Sequence, residues 1–480
     1  MKILFAFLPE LALTGLAFLV LLLEICGLKN KKAYFTISSV GLLLIIPCLL
    51  MSQAFIGNYI KGTFILDGYA LFFKLLFVVV LFMVVLLGDD FMEERTGNIA
   101  EYYFLLFMSA VGLMFMVSAA DLLTLFVAFE LSSIPMYVLA AYFKKDKASS
   151  EAGLKYFLLG AFSAGLMLYG ITLIYGTFGT LNFKDLGTIL LVGNLSPVIL
   201  LAIVSVIIGL GFKIAAAPLH MWAPDVYQGG PTPVVSFISV APKAAGLAVI
   251  ARFFITSFPS ISYQWVFLLL LLSAISMLVG NLAAMPQTNF KRMLAYSGIS
   301  HIGYILLGIA ASSQIGIASV LFYIAIYALT NLGAFGVLIM VSRYTKSDEI
   351  KDLAGLSRRS PGLALILLLA LLSLAGVPPL GGFVAKFMLF FAIFKESNPI
   401  FQIMVLYAIL NSVVSLFYYL KVLRVAYFDK SESMEPIRVP AYSAPALYLS
   451  VIGIVILGMV PSFYHWVSQM AQMGTFLCGF

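Results

Sequence analysis

The chain has 480 residues, 62% of them apolar and only 10% charged, with a mean hydropathy of +1.08. No soluble core needs that much apolar surface, so the composition excludes a soluble enzyme or binding module and reads as a polytopic membrane protein. The net charge of +7 then belongs in cytoplasmic loops, where Lys and Arg collect, and gives no reason to invoke nucleic acid.

About 20 apolar residues cross a bilayer. By that measure an all-α chain of fourteen spans follows, at roughly 4–25, 33–53, 68–88, 101–119, 121–143, 151–176, 198–222, 232–256, 263–284, 291–311, 315–342, 361–394, 401–428 and 442–468. The first run ends near Glu24 and Cys26 without a small-residue cleavage site and is expected to be retained as a span. No soluble domain fits between the spans, and the longest polar connection, 342–361, reads as a surface loop. Cys26, Cys48 and Cys478 show no CxxC or CxxH spacing, which argues against a disulfide framework or a metal site.

Basic residues set the expected orientation. Loops after odd-numbered spans carry seventeen Lys and Arg, among them Lys29, Lys145, Lys291 and Lys351; loops after even-numbered spans carry four, Lys61, Lys184, Arg252 and Lys395. The odd loops should be cytoplasmic and both termini outside. Of the 28 Lys and Arg, seventeen, four and Lys2 account for 22. The remaining six, Lys74, Lys155, Lys213, Lys243, Lys386 and Lys421, are all lysines within spans. A charge at bilayer depth costs about 2.5–3.5 kcal/mol on insertion scales, and lysine, unlike arginine, can lose its proton when desolvated. Among the acids Glu130 reads as the deep one, with Glu10, Glu24, Asp121 and Glu151 near span ends.

Two spans should be broken. Pro218 deprives the Ile214 carbonyl of its donor, and Pro378-Pro379 deprive those of Leu374 and Ala375. Free carbonyls at that depth must meet protein groups or water. Lys213 adjoins the first break, and Lys386 lies about two turns past the second. The breaks fall in spans 7 and 12, an odd separation, which is the pattern of an inverted repeat. The expected organisation is one transmembrane domain over 1–480: three helices in 1–100, one five-helix repeat in 101–256, its inverted copy in 263–428, and a last helix at 442–468.

Four stretches carry a family resemblance: FVAFELSSIPMYVLAAY around Glu130, EAGLKYFLLGAFSAGLMLYGITLIYG around Lys155, KIAAAPLHMWAPDVYQGGPTPVVSFISVAPKAAG across Lys213 and Lys243, and LAYSGISHIGYIL around His301. On these the chain resembles the antiporter-like membrane subunits of respiratory complex I, NADH:quinone oxidoreductase, in the branch that also has mitochondrial and chloroplast members. Subunits of multi-component cation/proton antiporters share the pattern of spans 7 and 8, and they, or a membrane-bound hydrogenase-type complex, are the alternative. The resemblance implies a proton path in which Glu130 pairs with Lys213, Lys243 continues the polar axis and Lys386 leads outward. It also implies that NADH, FMN, iron–sulfur clusters and quinone bind partner subunits, with no cofactor in this chain, and that the chain lies in a bacterial inner membrane among other membrane-arm subunits, lipid, protons and internal water. Were Glu130 ionised 4 Å from Lys213, their attraction would be about 4 kcal/mol at an effective dielectric of 20, enough to hold the lysine's proton until the carboxylate moved or was neutralised.

The weaker candidates keep two readings each. Lys155 follows Glu151 by four residues, so a surface salt bridge competes with a role in proton uptake near Glu130. His301 is a relay member or a satisfied buried histidine. His220 and Asp225 belong to the turn after Pro218, where Asp225 should brace the loop. Lys74 and Lys421 should snorkel or pair.

Overall fold

The computed structural model describes the chain except residues 1, 29, 97, 191–195, 397, 432–434 and 475–480. Lys29 and Cys478 therefore lie outside the described residues, while Cys26 and Cys48 are free thiols. Each of the fourteen apolar runs forms helix, but not each is one straight span. Among the described residues twelve single helices are long and apolar enough to cross a membrane, thirteen if one bent pair is added. The twelfth run is two shorter helices, Pro361–Ala375 and Gly381–Phe394, as its prolines require. The fourteenth, expected to be one span, instead turns by 92° between Ala444–Leu457 and Pro461–Gln472, because Pro461 starts a new helix after Val460 leaves helical geometry.

Buried spans sit at the centre. The most apolar stretches of Thr232–Ser257 and Gln314–Thr345 are wholly buried, whereas that of Pro399–Phe428 is only 22% buried. The bundle therefore wraps spans 8 and 11 in the others, and a lysine on span 8 has no lipid face to snorkel through.

The two five-helix segments share local anatomy that hydropathy could not show. Asp121 caps Leu122–Ala140 through the Leu123 and Thr124 amides, and Asn289 caps Phe290–Ala310 through the Arg292 amide. The residues flanking these caps pair with the chain beyond the next helix but one. Leu122 N–H donates to Leu181 and Phe183 N–H to Ala120, just as Phe290 N–H donates to Asp348 and Ile350 N–H to Thr288. Between each pair of contacts runs a helix of 32 residues, Lys147–Phe178 or Gln314–Thr345. The breaks match too. Ile214 and Ala375 are each followed by a residue of positive φ, Ala215 at 58° and Gly376 at 85°, and three residues further by a cis-linked proline, Pro218 or Pro379.

Several charges assigned to loops or span ends from sequence lie inside; Lys291, for one, is 4% exposed and 2.8 Å from Asp348. Arg252 continues the helix Thr232–Ser257, is 2% exposed, and is held on both carboxylate oxygens of Asp67 at 2.8 and 2.9 Å. Glu10, read as a span-end acid, is buried 2.6 Å from Lys74, so that lysine pairs and does not snorkel. The outer loops thus lose Arg252 and the odd-numbered loops lose Lys291 and Arg359.

Candidate functional site

Span 7 ends in the middle of the bundle. The Ala215 and Ala216 amides return to the carbonyls of Phe212 and Gly211, and the Trp222 indole donates to Phe212 at 2.9 Å. The broken turn is thereby satisfied by its own chain. Lys213 occupies that last turn, where the helix dipole favours a cation. Its ammonium is 2.6 Å from Ser132 Oγ and 2.7 Å from Ser133 Oγ, and 4.7 Å from the centre of the Phe129 ring. Both serine hydroxyls donate onward to the Phe129 carbonyl, at 2.8 and 2.6 Å, leaving their lone pairs to receive the lysine.

Glu130 lies on the same span as those serines but does not make the contact supposed from sequence. Among the described residues no ion pair within 4.0 Å joins it to Lys213, and its buried Oε1 has no hydrogen-bond partner. Lys213 is cradled by neutral hydroxyls one turn from the carboxylate. At that remove the attraction is weaker than the 4 Å figure, and a small movement of either side chain changes it.

Lys243 follows Pro242 on the wholly buried span 8 and is 1% exposed. No hydrogen bond holds its ammonium, which lies 5.3 Å from the centre of the Tyr227 ring. Two glycines make its surroundings possible. A β-carbon at Gly298 would stand 2.7 Å from Lys243 Nζ and 3.1 Å from the Tyr327 hydroxyl. A β-carbon at Gly246, one turn along from Lys243, would meet the Ile214 side chain at 2.5 Å and the Lys213 stem at 3.6 Å. Gly246 therefore lets span 7 lay Lys213 against span 8. Neither glycine was singled out from sequence, since small residues are ordinary in membrane helices.

His301, one turn beyond Gly298, is 3% exposed. Its Nδ1 is 2.7 Å from the Tyr323 hydroxyl and its Nε2 3.1 Å from that of Tyr419, which also bonds Ser297 Oγ. The imidazole is thus bonded at both nitrogens. Lys386, 4% exposed, donates to the carbonyls of Leu374 and Ala375 at 3.0 Å each and to Ser412 Oγ at 2.8 Å, and lies 5.1 Å from the centre of the Tyr304 ring. These are the two carbonyls that Pro378-Pro379 were expected to free. Gly382 lets the second half-helix close on the first, since a β-carbon there would stand 1.8 Å from the Ser373 carbonyl.

Lys155 stands apart from this axis. It is 42% exposed and bonded at 2.7 Å to both Glu151 and Asp225, and Asp225 also holds Arg292 at 2.6 Å. The turn after the break is so tied to spans 6 and 10. Burial works against the Asp225 charge, but hydrogen bonds from Lys155 and Arg292 prevail and keep its carboxyl below the ordinary value. His220, in the same turn, is half-buried. A depressed carboxyl pKa contributes stability above the unfolded-state value near 4, lost as pH falls through the lower folded value. Asp225→Asn should therefore modestly lower the melting temperature at pH 7 and flatten its dependence on pH in the acid range. Unchanged melting curves at both pH values would show that the bridge braces nothing.

Taken together, the site is a line of buried lysines and one histidine, running from one broken helix to the other through a membrane bundle. Ionisable residues buried at membrane depth mark ion and proton pathways. Residues 119–412 match the family model described as NADH:quinone oxidoreductase/Mrp antiporter, transmembrane. The NADH-quinone oxidoreductase subunit N of Desulforamulus reducens is 39% identical over 470 residues, 98% of each chain. A chain in the structure of respiratory complex I from Thermus thermophilus with bound aureothin superposes with a TM-score of 0.80 and 33% identity, covering 95% of this chain and 97% of that one. A chain of the Mrp complex from a Dietzia species superposes at 0.85 with 20% identity, covering 99% and 98%, and shares the fold. The chain belongs to the subunit N family of NADH-quinone oxidoreductase, the antiporter-like membrane subunits of complex I. It is a multi-pass component of the proton-translocating membrane arm of that enzyme in bacteria.

Proposed function

We propose that protons cross the membrane through this chain along Glu130, Lys213, Lys243, His301 and Lys386. The observation that carries this reading is how the three lysines are held. Lys213, Lys243 and Lys386 are at most 4% exposed, yet among the described residues none has a carboxylate within 4.0 Å. Hydroxyls, carbonyls and aromatic rings hold them instead. A structural pair looks like Lys74 on Glu10, where removing one charge strands the other. A lysine held by neutral groups can lose its proton and leave no uncompensated acid behind. Glu130, one turn from the Lys213 cradle, is placed to bias that loss by moving or changing charge. Lys155 fits a brace for the turn better than a proton carrier, being exposed and twice paired.

The chemistry assigned to this chain is proton movement alone. NADH, FMN, iron–sulfur clusters and quinone belong to partner subunits, which supply the energy, since moving one charge costs about 2.3 kcal/mol per 100 mV. The two segments 101–256 and 263–428 are an inverted repeat, supported by the matched caps, strand-like contacts and breaks. The odd loops are cytoplasmic and both termini periplasmic. Cysteines placed at Lys145 and Lys351 should take up an impermeant thiol label only from the cytoplasmic side, and one at Lys184 only from outside; the reverse pattern would invert the direction of transport. The proton path itself is tested by pumping measurements on its lysine variants in the assembled complex.

A further inference from the structure

The lysine axis leaves a second buried polar seam without a use. On span 13, Pro399–Phe428, the residues Asn411, Ser412, Ser415, Tyr418 and Tyr419 share one face, and Lys421 follows one turn beyond Tyr418. At one end, Ser412 Oγ is 2.8 Å from Lys386 Nζ. At the other, Lys421 donates to the Met285 and Gln287 carbonyls at 3.2 and 3.0 Å. There it lines a cavity of about 930 Å³ together with Thr288, Lys351, Asp352, Arg359 and Asp429.

The interval between the ends is lined by buried polar groups. Tyr418 donates to Asn281 Oδ1 at 3.1 Å, and Asn281 Nδ2 donates to the Asn411 carbonyl at 2.9 Å. Tyr419 joins Ser297 to His301. Tyr418, Tyr419 and Asn281 are fully buried. Lys421 lies one turn from Tyr418, a rise of about 4.5 Å, within reach of a single bridging water. Apolar side chains would pack this outer helix at lower cost than buried hydroxyls and amides, so this run of buried polar groups calls for a reason.

We propose that the seam is a second proton-uptake route, from the cavity at Lys421 to His301 and Lys386, bypassing Glu130 and Lys213. It rests on the lysine-axis reading and on the loop after span 13 being cytoplasmic. Lys421 is the outermost protonatable group. The hydroxyls of Tyr418, Tyr419, Ser415 and Ser297 each accept one proton and release another, so one proton enters at Lys421 for each one delivered to Lys386. Only O–H and N–H bonds form and break, and rotation of the hydroxyls resets the chain. Asn281 and Asn411 are positioning residues that orient Tyr418.

The test is the rate of proton pumping in vesicles holding the complete complex, with assembly checked by native gel. Tyr418→Phe and Lys421→Met should each lower that rate about two-fold, and Lys421→His should restore much of it, because imidazole titrates and methionine does not. Wild-type pumping by assembled Tyr418→Phe complex would overturn the proposal, as would Lys421→His performing no better than Lys421→Met. If Lys421→Met fails to assemble, the nearly isosteric Tyr418→Phe decides. Loss of pumping in Lys213→Ala with normal pumping in every seam variant would sink the seam and spare the axis. Normal pumping in both Lys213→Ala and Lys386→Met would sink both.

Discussion

Replacing Lys213 by alanine should abolish the proton uptake that runs through Glu130 and Lys213, and so lower pumping strongly, while leaving the complex assembled. The break in span 7 is satisfied by its own amides and by Trp222, so the fold does not lean on the ammonium. What disappears is the titrating group and its contact with Ser132 and Ser133. Those hydroxyls keep the Phe129 carbonyl as their acceptor, so the loss strands no buried donor. Glu130→Ala should produce a similar functional loss by a different route, since Lys213 would then titrate without a charge to bias it. Glu130→Asp, which keeps the charge at shorter reach, should retain more pumping than Glu130→Gln. The comparison is made in membrane vesicles, with quinone reduction followed in parallel because tight coupling will draw it down too. A double variant that loses about the sum of the two single losses, expressed as free energies, would mean that Glu130 and Lys213 act independently.

Lys386→Met should be the more damaging change to structure. This ammonium is the partner of the Leu374 and Ala375 carbonyls, and methionine would leave the first without a donor and the second with only the Ser412 hydroxyl at 3.4 Å. An unmet buried carbonyl costs about 1–3 kcal/mol, so assembly should fall along with pumping. Lys386→Arg separates the two effects. Its guanidinium can still bond both carbonyls and restore assembly, but it does not release a proton, so pumping should stay low. Recovery of pumping together with assembly in Lys386→Arg would assign this lysine a purely structural part.

The contrast between these two lysines shows how far the sequence could be read. The depth of Lys213, Lys243 and Lys386 is legible because charges stand out in apolar runs, and the breaks are legible because proline removes a donor wherever it stands. For Lys386 the reading named the carbonyls freed by Pro378-Pro379 but not their partner, which is the lysine itself. The serine cradle of Lys213 was not legible, because Ser132 and Ser133 look like any small residues on a membrane helix. The empty flank of Gly298 beside Lys243, and Gly246 beside Lys213, appear only when spans 7, 8 and 10 are brought together.

Hydropathy also misjudged where helices end. It drew span 8 over 232–256 yet left Arg252 to be counted with the loop that follows, although the helix runs on to Ser257 and buries that arginine against Asp67. It placed Glu10 at a boundary when the side chain faces Lys74 inside the bundle. It joined residues 442–468 into one span because the proline at 461 interrupts geometry and not hydropathy. Each of these misses has one source: a hydropathy window averages over faces, and burial of a charge depends on which face it occupies.

The central claim is that the buried lysines work by giving up a proton, and Lys213→Arg addresses it most directly. Arginine keeps the positive charge beside Glu130 and can reach the same two serine hydroxyls, but it does not deprotonate within a protein. With the complex assembled to wild-type level, the account predicts proton pumping in vesicles as low as in Lys213→Ala. Pumping at the wild-type rate would contradict it and leave Lys213 as a fixed charge in a path that runs elsewhere.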